Sequence, residues 1–295
     1  MTDINAAAQF IAGHARLLER RRFGYFEGDG SAEAVVRALD AYRNADGGIG
    51  HLEPDLRTPT SQPSSVLYAL DVLHEVSARD LSLAVSGLDW LESVTHDDGG
   101  VPFLLSSAYE WPHAPWWAAG DASESSLLMT AAIAGMARRL GLEHPWIDRA
   151  SAFCWERLSD VGAGDAYTLR YVVDFLDSAE GDPRAQRALD DIRELIPEDG
   201  LLRVSAGTED ETLGPLDLAP RPDHAARSLY ADEVIERELT TLAEGQQPDG
   251  GWTFTWLAWN PAAELEWRGV VTVNALRTLR DYGRLPAVAR SASGS

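Results

Sequence analysis

The chain has 295 residues, 45% of them hydrophobic, with a formal net charge of -22 and a pI of about 4.6. That acidity argues against nucleic acid and anionic membrane surfaces as partners, since both attract basic patches. All 25 Lys or Arg positions are arginine, which excludes Schiff-base lysine, lysine-bound pyridoxal phosphate and P-loop chemistry, and the single Cys154 excludes an internal disulfide and a cysteine-rich zinc site.

The opening segment, "MTDINAAAQFIAGHARLLERRR", carries its positive charge after its apolar stretch, the reverse of a secretory signal. No apolar run approaches the roughly 18 residues that would span a bilayer, so a cytoplasmic protein without stable membrane insertion is expected. "AEAVVRALDAYR" (32–43) predicts a solvent-facing helix with Val35, Val36, Leu39 and Tyr42 on one stripe, ending at an Asp-Gly turn at Asp46. "SSVLYALDVL" (64–73) is apolar nearly all round, as a buried helix is. A second turn at Asp98 precedes another such segment, "SLLMTAAIAGMA" (126–137). Cys154, between Phe153 and Trp155, reads as core on an outer helix.

"TLRYVVDFL" (168–176) is again apolar nearly throughout, and "PRAQRALDDIREL" (183–195) starts with a proline suited to a first turn and leads to a turn at Asp199. "DEVIERELTTLAEGQ" (232–246) places Val234, Ile235, Leu239 and Leu242 on one face before a turn at Asp249. "GVVTVNALRTL" (269–279) completes the buried set. The four turns are spaced by 52, 101 and 50 residues, so a degenerate member is expected between the middle two, with "SDVGAGDAY" (159–167) the candidate. No strand periodicity stands out. Polar-faced and all-apolar helices alternating at this period predict an all-α fold, an (α/α)6 barrel or toroid of about eleven to twelve helices in inner and outer layers. An open solenoid would need polar terminal caps, and none is evident. One domain over residues 1–288 and a flexible tail over 289–295 are expected.

"QQPDGGW" places Gln247, Gly251 and Trp252 at the end of an outer helix. That stretch resembles the QW repeat of squalene-hopene cyclases, and the chain is similar through its period to the terpenoid cyclase and protein prenyltransferase α/α toroid superfamily. The resemblance implies a structural role for the repeat, tying outer helices together, and an isoprenoid ligand. The other turns lack the Trp, and "YRNADGGIG" lacks the Gln.

The connections after the turns (48–65, 100–125, 200–228 and 251–269) are long, while "ARD" (78–80) and "LGLEHP" (140–145) are short. One end of the barrel is therefore expected to carry the function. Seven of ten Trp fall there, including Trp111, Trp116, Trp117, Trp256 and Trp259, as plugs of the barrel mouth or as walls of a cavity that binds polyenes, stabilises cations or stacks on sugars. The candidate acids are Glu53, Asp55, Asp217 and Asp223. Asp217, in the Pro-bounded "GPLDLAPRPDH", fits a helix cap less well than Asp121 or Asp165 do. His51, Arg57, Gln62, Asp165, His224 and Glu264 join the Trp as candidate ligand contacts.

The Asp-x-Asp-Asp of acid-initiated cyclases, the Asp-Asp-x-x-Asp of ionisation-initiated synthases, and the zinc sets of protein prenyltransferases and lanthipeptide cyclases are absent. Three readings remain. The first is a cyclase that protonates an isoprenoid with a single buried carboxylic acid and needs no cofactor. A diphosphate substrate would instead need Arg57, Arg221, Arg227 or Arg268, or Mg²⁺. The second is a carbohydrate-active barrel with paired carboxylates, and the third a non-catalytic binding toroid. An enzyme of the first kind would be a lyase, isomerase or transferase acting on a small apolar or isoprenoid ligand; oligomeric state is left open.

Overall fold

The structure, a computed structural model, describes residues 2–119, 121–162, 165–204 and 211–286. The expected tail, 289–295, lies outside them. Twelve α-helices are present among the described residues: α1 Ile4–His14, α2 Leu17–Glu27, α3 Ala32–Asp40, α4 Pro63–Glu75, α5 Ser82–Glu92, α6 Leu127–Arg139, α7 Pro145–Arg157, α8 Ala166–Asp177, α9 Pro183–Arg193, α10 Pro215–Leu218, α11 Asp232–Glu244 and α12 Pro261–Asp281. Their starts are chemically marked. Asp3, Ser31, Ser126, Asp165 and Asn260 accept first-turn N–H groups, and Pro63, Pro145, Pro183 and Pro261 stand where a missing N–H leaves no gap.

The helices alternate between an outer layer (odd numbers) and an inner layer (even numbers). Burial follows the sequence pattern. Outer α3 buries only Val35 and Leu39 and outer α11 only Ile235 and Leu239, while inner α6 buries every residue from Met129 to Ala137. Gly135 lets α6 approach α8 so closely that a Cβ would stand 3.0 Å from the Phe175 Cα.

The fifth pair departs from the sequence reading. Its inner helix, α10, is a single turn, because Pro220 and Pro222 follow at once and cannot extend a helix. A two-residue hairpin precedes it, with β1 (Leu202–Arg203) antiparallel to β2 (Thr212–Leu213). The degenerate turn at 159–167 is a 3-10 turn, Leu158–Asp160, followed by Asp165 as the cap of α8; residues 163–164 lie outside the described set.

The Asp-Gly turns share one geometry. Asp46, Asp98, Asp199 and Asp249 each accept the N–H two residues on, at 3.0, 3.1, 3.0 and 3.2 Å. The glycine after each Asp has positive φ (90°, 90°, 79° and 93°), which L side chains rarely adopt. In three turns a second glycine is covered by an aromatic ring of the next outer helix: Gly48 by Trp90, Gly100 by Phe153 and Gly251 by Phe10. The third of these closes the ring, because Phe10 belongs to α1 while Gly251 follows α11. Gln246 reinforces the seam by accepting from Asp3 N at 2.7 Å and donating to Asp3 O at 2.8 Å. Trp252 is buried and donates from Nε1 to the Leu242 carbonyl at 2.7 Å, tying its turn to α11.

Ring closure can be separated from backbone strain. Gly141 also has positive φ (67°) but nothing within 4 Å of its Cβ position, whereas a Cβ on Gly250 would lie 2.2 Å from the Ala6 carbonyl oxygen. Gly141→Ala is expected to lower unfolding free energy by about 1–2 kcal/mol, the left-handed penalty alone. Gly250→Ala should lose clearly more, as read by urea denaturation.

Candidate functional site

Two of the long connections sew together over one barrel mouth. Ala114 N donates to Asp55 O at 2.9 Å and Arg57 N to Pro112 O at 3.0 Å. Gln62, fully buried, accepts from Leu105 N at 2.9 Å and donates to Thr60 and Ser107 hydroxyls at 3.1 and 3.2 Å. Beneath these bonds lies a small apolar cluster of Leu56, Leu104, Ala108, Ala114 and Trp117, with Phe103, Trp116 and Trp259 packed against it. This roof is where most of the mouth aromatics go. Trp256 stacks on Phe254 at 4.4 Å between centroids and meets Trp267 edge-on at 5.4 Å, while Trp111 is exposed.

Asp55 is buried in the roof, and Trp117 Nε1 donates to it at 3.1 Å. Burial raises its carboxyl above the ordinary range; the indoles of Trp117, then Trp267 and Trp116, pull the other way. Trp267 Nε1 is itself buried and makes no hydrogen bond of normal geometry, so its effect on Asp55 is one of proximity.

Glu53 stands apart from the other acids. Loss of solvent, then the Asp55 charge, pushes its carboxyl up to about 8, with Arg16 opposing; no hydrogen bond to the carboxyl contributes. Electrostatically it reaches Tyr68 on α4 and Tyr171 on α8, while Arg16 precedes α2. Glu53 is thus within electrostatic reach of inner helices α4 and α8 and of the start of α2. Glu53, Tyr68, Arg170 and Tyr171 are each half-buried, in surroundings that desolvate them strongly.

Ion pairs fill the opposite end of the bore. Arg22 contacts Glu75 at 2.6 Å and Asn274 at 2.8 Å, and Arg277 meets the same Glu75 at 2.6 Å. Burial disfavours the Glu75 charge, but the two arginines outweigh it and hold the carboxyl below its usual range. Beside them His224 Nε2 lies 2.9 Å from Asp174, and Arg139 reaches Asp177 at 2.6 Å. Burial opposes ionisation of Asp174, yet the His224 contact and Arg139 bring its pKa down to about 2.

Several expected rim residues lie elsewhere or are otherwise engaged. His224 was expected at the decorated end; it is buried against the C-terminal ends of α6 and α8, at the far end, because the chain descends after the single turn of α10. Asp223 goes with it and is exposed, paired to Arg221 at 2.8 Å. Asp217, expected to be a poor cap, accepts from Gly214 N at 2.7 Å and closes the first turn of α10. Asp165 caps α8 and is exposed, Glu264 lies exposed in the first turn of α12, and His51 is exposed with φ 58°. The cations considered for a diphosphate are all paired: Arg57 with Glu266, Arg221 with Asp177, Arg227 with Asp232 and Arg268 with Asp249. Tyr68, Arg170 and Tyr171 escaped the sequence reading. Their signal was polar side chains at i, i+3 and i+4 (Tyr68 with Asp71, Arg170 and Tyr171 with Asp174) inside helices that otherwise look apolar all round.

No protein-family model matches the sequence, and no curated protein matches it. Among solved structures, the chain is similar to a variant of type II terpene cyclase MstE from Scytonema in complex with its substrate, geranylgeranyl dihydroxybenzoate. The identity is 13% and the TM-score 0.58, covering 96% of this chain and 97% of that one. The fold is terpene cyclase-like. MstE without ligand gives 14% identity and a TM-score of 0.56 over 94% and 96% of the two chains. A protein from Actinoplanes gives 17% and 0.57 over 95% and 98%. Among the described residues no helix is long and apolar enough to cross a membrane. Nor do they include three or more His, Cys, Asp or Glu placed to hold a metal ion.

Breaking an ion pair across the bore of this terpene cyclase-like toroid should leave an uncompensated buried charge. Arg22→Met leaves Glu75 with one cation and Glu19 more exposed to repulsion. Removing one partner of a buried pair costs about 3–5 kcal/mol, and a shift of that size in urea unfolding is expected.

Proposed function

We propose that this chain is an acid-initiated isoprenoid cyclase in which Glu53 delivers the proton. The carrying observation is an enclosed carboxyl without hydrogen-bond or ion-pair support, held protonated to about pH 8 beside a second acid. A carboxylic acid that keeps its proton at neutral pH is a general acid in waiting. A purely binding toroid would be expected to engage every such acid, as this fold does with Asp174, Asp177 and Glu75. The roof over the mouth favours a ligand of limited size over a long polysaccharide.

In the proposed reaction the Glu53 O–H breaks and its proton forms a new C–H bond with a terminal alkene of the substrate. The alkene π electrons supply that bond and leave a tertiary cation. The next alkene attacks the cation to close a ring; the final cation loses a proton to water and Glu53 takes one back from water, so the substrate's charge is unchanged and the net change is isomerisation. Burial first, and then the charge of Asp55, which accepts from the Trp117 indole, keep the proton on Glu53. Tyr68 and Tyr171 offer ring faces to the cation. The substrate of MstE, geranylgeranyl dihydroxybenzoate, supports a polyprenyl chain as the class to try first.

Two outcomes test this reading. Glu53→Gln should fold normally and lose turnover of polyprenyl substrates by about 10²–10⁴-fold, scored by mass-neutral conversion to cyclic product; unchanged turnover would refute Glu53 as the acid. In the wild type, kcat/KM should fall above about pH 8, where Glu53 ionises. The same proton sets a stability signature. The folded pKa is raised from 4.5 to about 8, so the folded state holds the extra proton between those values. Wild-type stability relative to Glu53→Gln should therefore be greatest below about pH 4.5 and decline as pH rises towards 8.

A further inference from the structure

We propose that Arg170 receives an anionic head group of the substrate, best matched by a carboxylate. The inference rests on the isoprenoid reading of the bore and adds to it the chemistry of the other end of the ligand.

Every other interior arginine of the described residues has a carboxylate partner, although Arg22 Nη1, Arg139 Nε and Arg280 Nε also lack a hydrogen bond. Arg16 pairs with Glu19, Arg22 and Arg277 with Glu75, Arg139 with Asp174 and Asp177, and Arg280 with Glu27. Arg170 has no such partner. Its Nε is buried without a hydrogen bond, and its one close contact is the Tyr171 ring, 5.2 Å from the guanidinium carbon. Asp174 and Asp217 act on it only at longer range. Asp174 is bonded to His224 and Asp217 to Gly214, so neither is available to swing onto it. An enclosed guanidinium left in this state is costly, and a ligand that completes its hydrogen bonds removes the penalty.

Arg170 lies beside Tyr171, with its guanidinium carbon 5.2 Å from the ring centroid, and Glu53 acts on the same tyrosine, so both groups are assigned to one ligand. The planar fork of a guanidinium matches a carboxylate bidentately. A single cation without a carboxylate in contact balances one negative charge, and the neighbouring carboxylates Asp217 and Asp174 disfavour a second. A monoanionic head is thus favoured over a diphosphate, which would bring more charge than Arg170 can balance.

The test compares farnesoic and geranylgeranoic acids with their methyl esters and with geranylgeranyl diphosphate, by titration calorimetry at neutral pH and physiological salt. Wild-type protein should bind each acid at least tenfold tighter than its ester. Arg170→Met should weaken acid binding at least tenfold, leave ester binding within twofold, and so erase the preference. Equal binding of acid and ester by the wild type, a comparison that needs no variant, would overturn the inference while leaving the isoprenoid reading intact. So would an acid preference that survives Arg170→Met. Tighter binding of the diphosphate than of the acid, dependent on Arg170, would overturn the monoanion assignment. If neither acid nor ester binds, the isoprenoid reading itself fails and the inference falls with it.

Discussion

The architecture depends on one small contact made repeatedly: an Asp-Gly turn whose left-handed glycine brings its neighbour under an aromatic ring of the next outer helix. Gly48 lies under Trp90, Gly100 under Phe153 and Gly251 under Phe10. The last contact joins the end of the chain to its first helix and turns a row of helix pairs into a ring. Closure removes the need for capping repeats. It also fixes polarity, since every such turn precedes an inner helix and so lies at the same end as the roof.

Within that ring the bore is divided by electrostatics. At the far end, arginines and carboxylates meet in nearly complete pairs, which is the only cheap way to bury charge. Two groups elsewhere in the bore have no ion-pair partner among the described residues. Glu53 escapes the penalty by keeping its proton, and Arg170 carries its charge without a carboxylate in contact. Both act electrostatically on Tyr171, and Glu53 also on Tyr68. Local rules are often broken at functional sites, and the proposed function rests on these two breaches.

What could be read from the sequence was what is local. The Asp-Gly turns, the one-sided outer helices and the prolines at helix starts are short-range signals, and together they specify the toroid. Trp252 was legible as a seam because its acceptor, Leu242, is ten residues away. Long-range pairings were not legible: Arg57 finds Glu266 across 209 residues, and Arg22 finds Asn274 across 252. Asp223 and His224 were assigned to the wrong end because a long connection was read as rim loop throughout, although Pro220 and Pro222 mark where α10 stops and the chain turns down the barrel. Glu53 and Asp55 were legible as candidates but not as a pair apart, since enclosure is a property of the assembled ring. Tyr171 and Arg170 were hidden by the apolar look of their helix.

The account turns on Glu53 holding a proton in the folded protein at neutral pH. Infrared difference spectra of wild type against Glu53→Gln, recorded across pH, observe that proton directly through the carbonyl stretch of a protonated carboxyl. The account predicts a band present at pH 7 and lost with a midpoint near 8. A carboxylate signal already complete at pH 6 would contradict it.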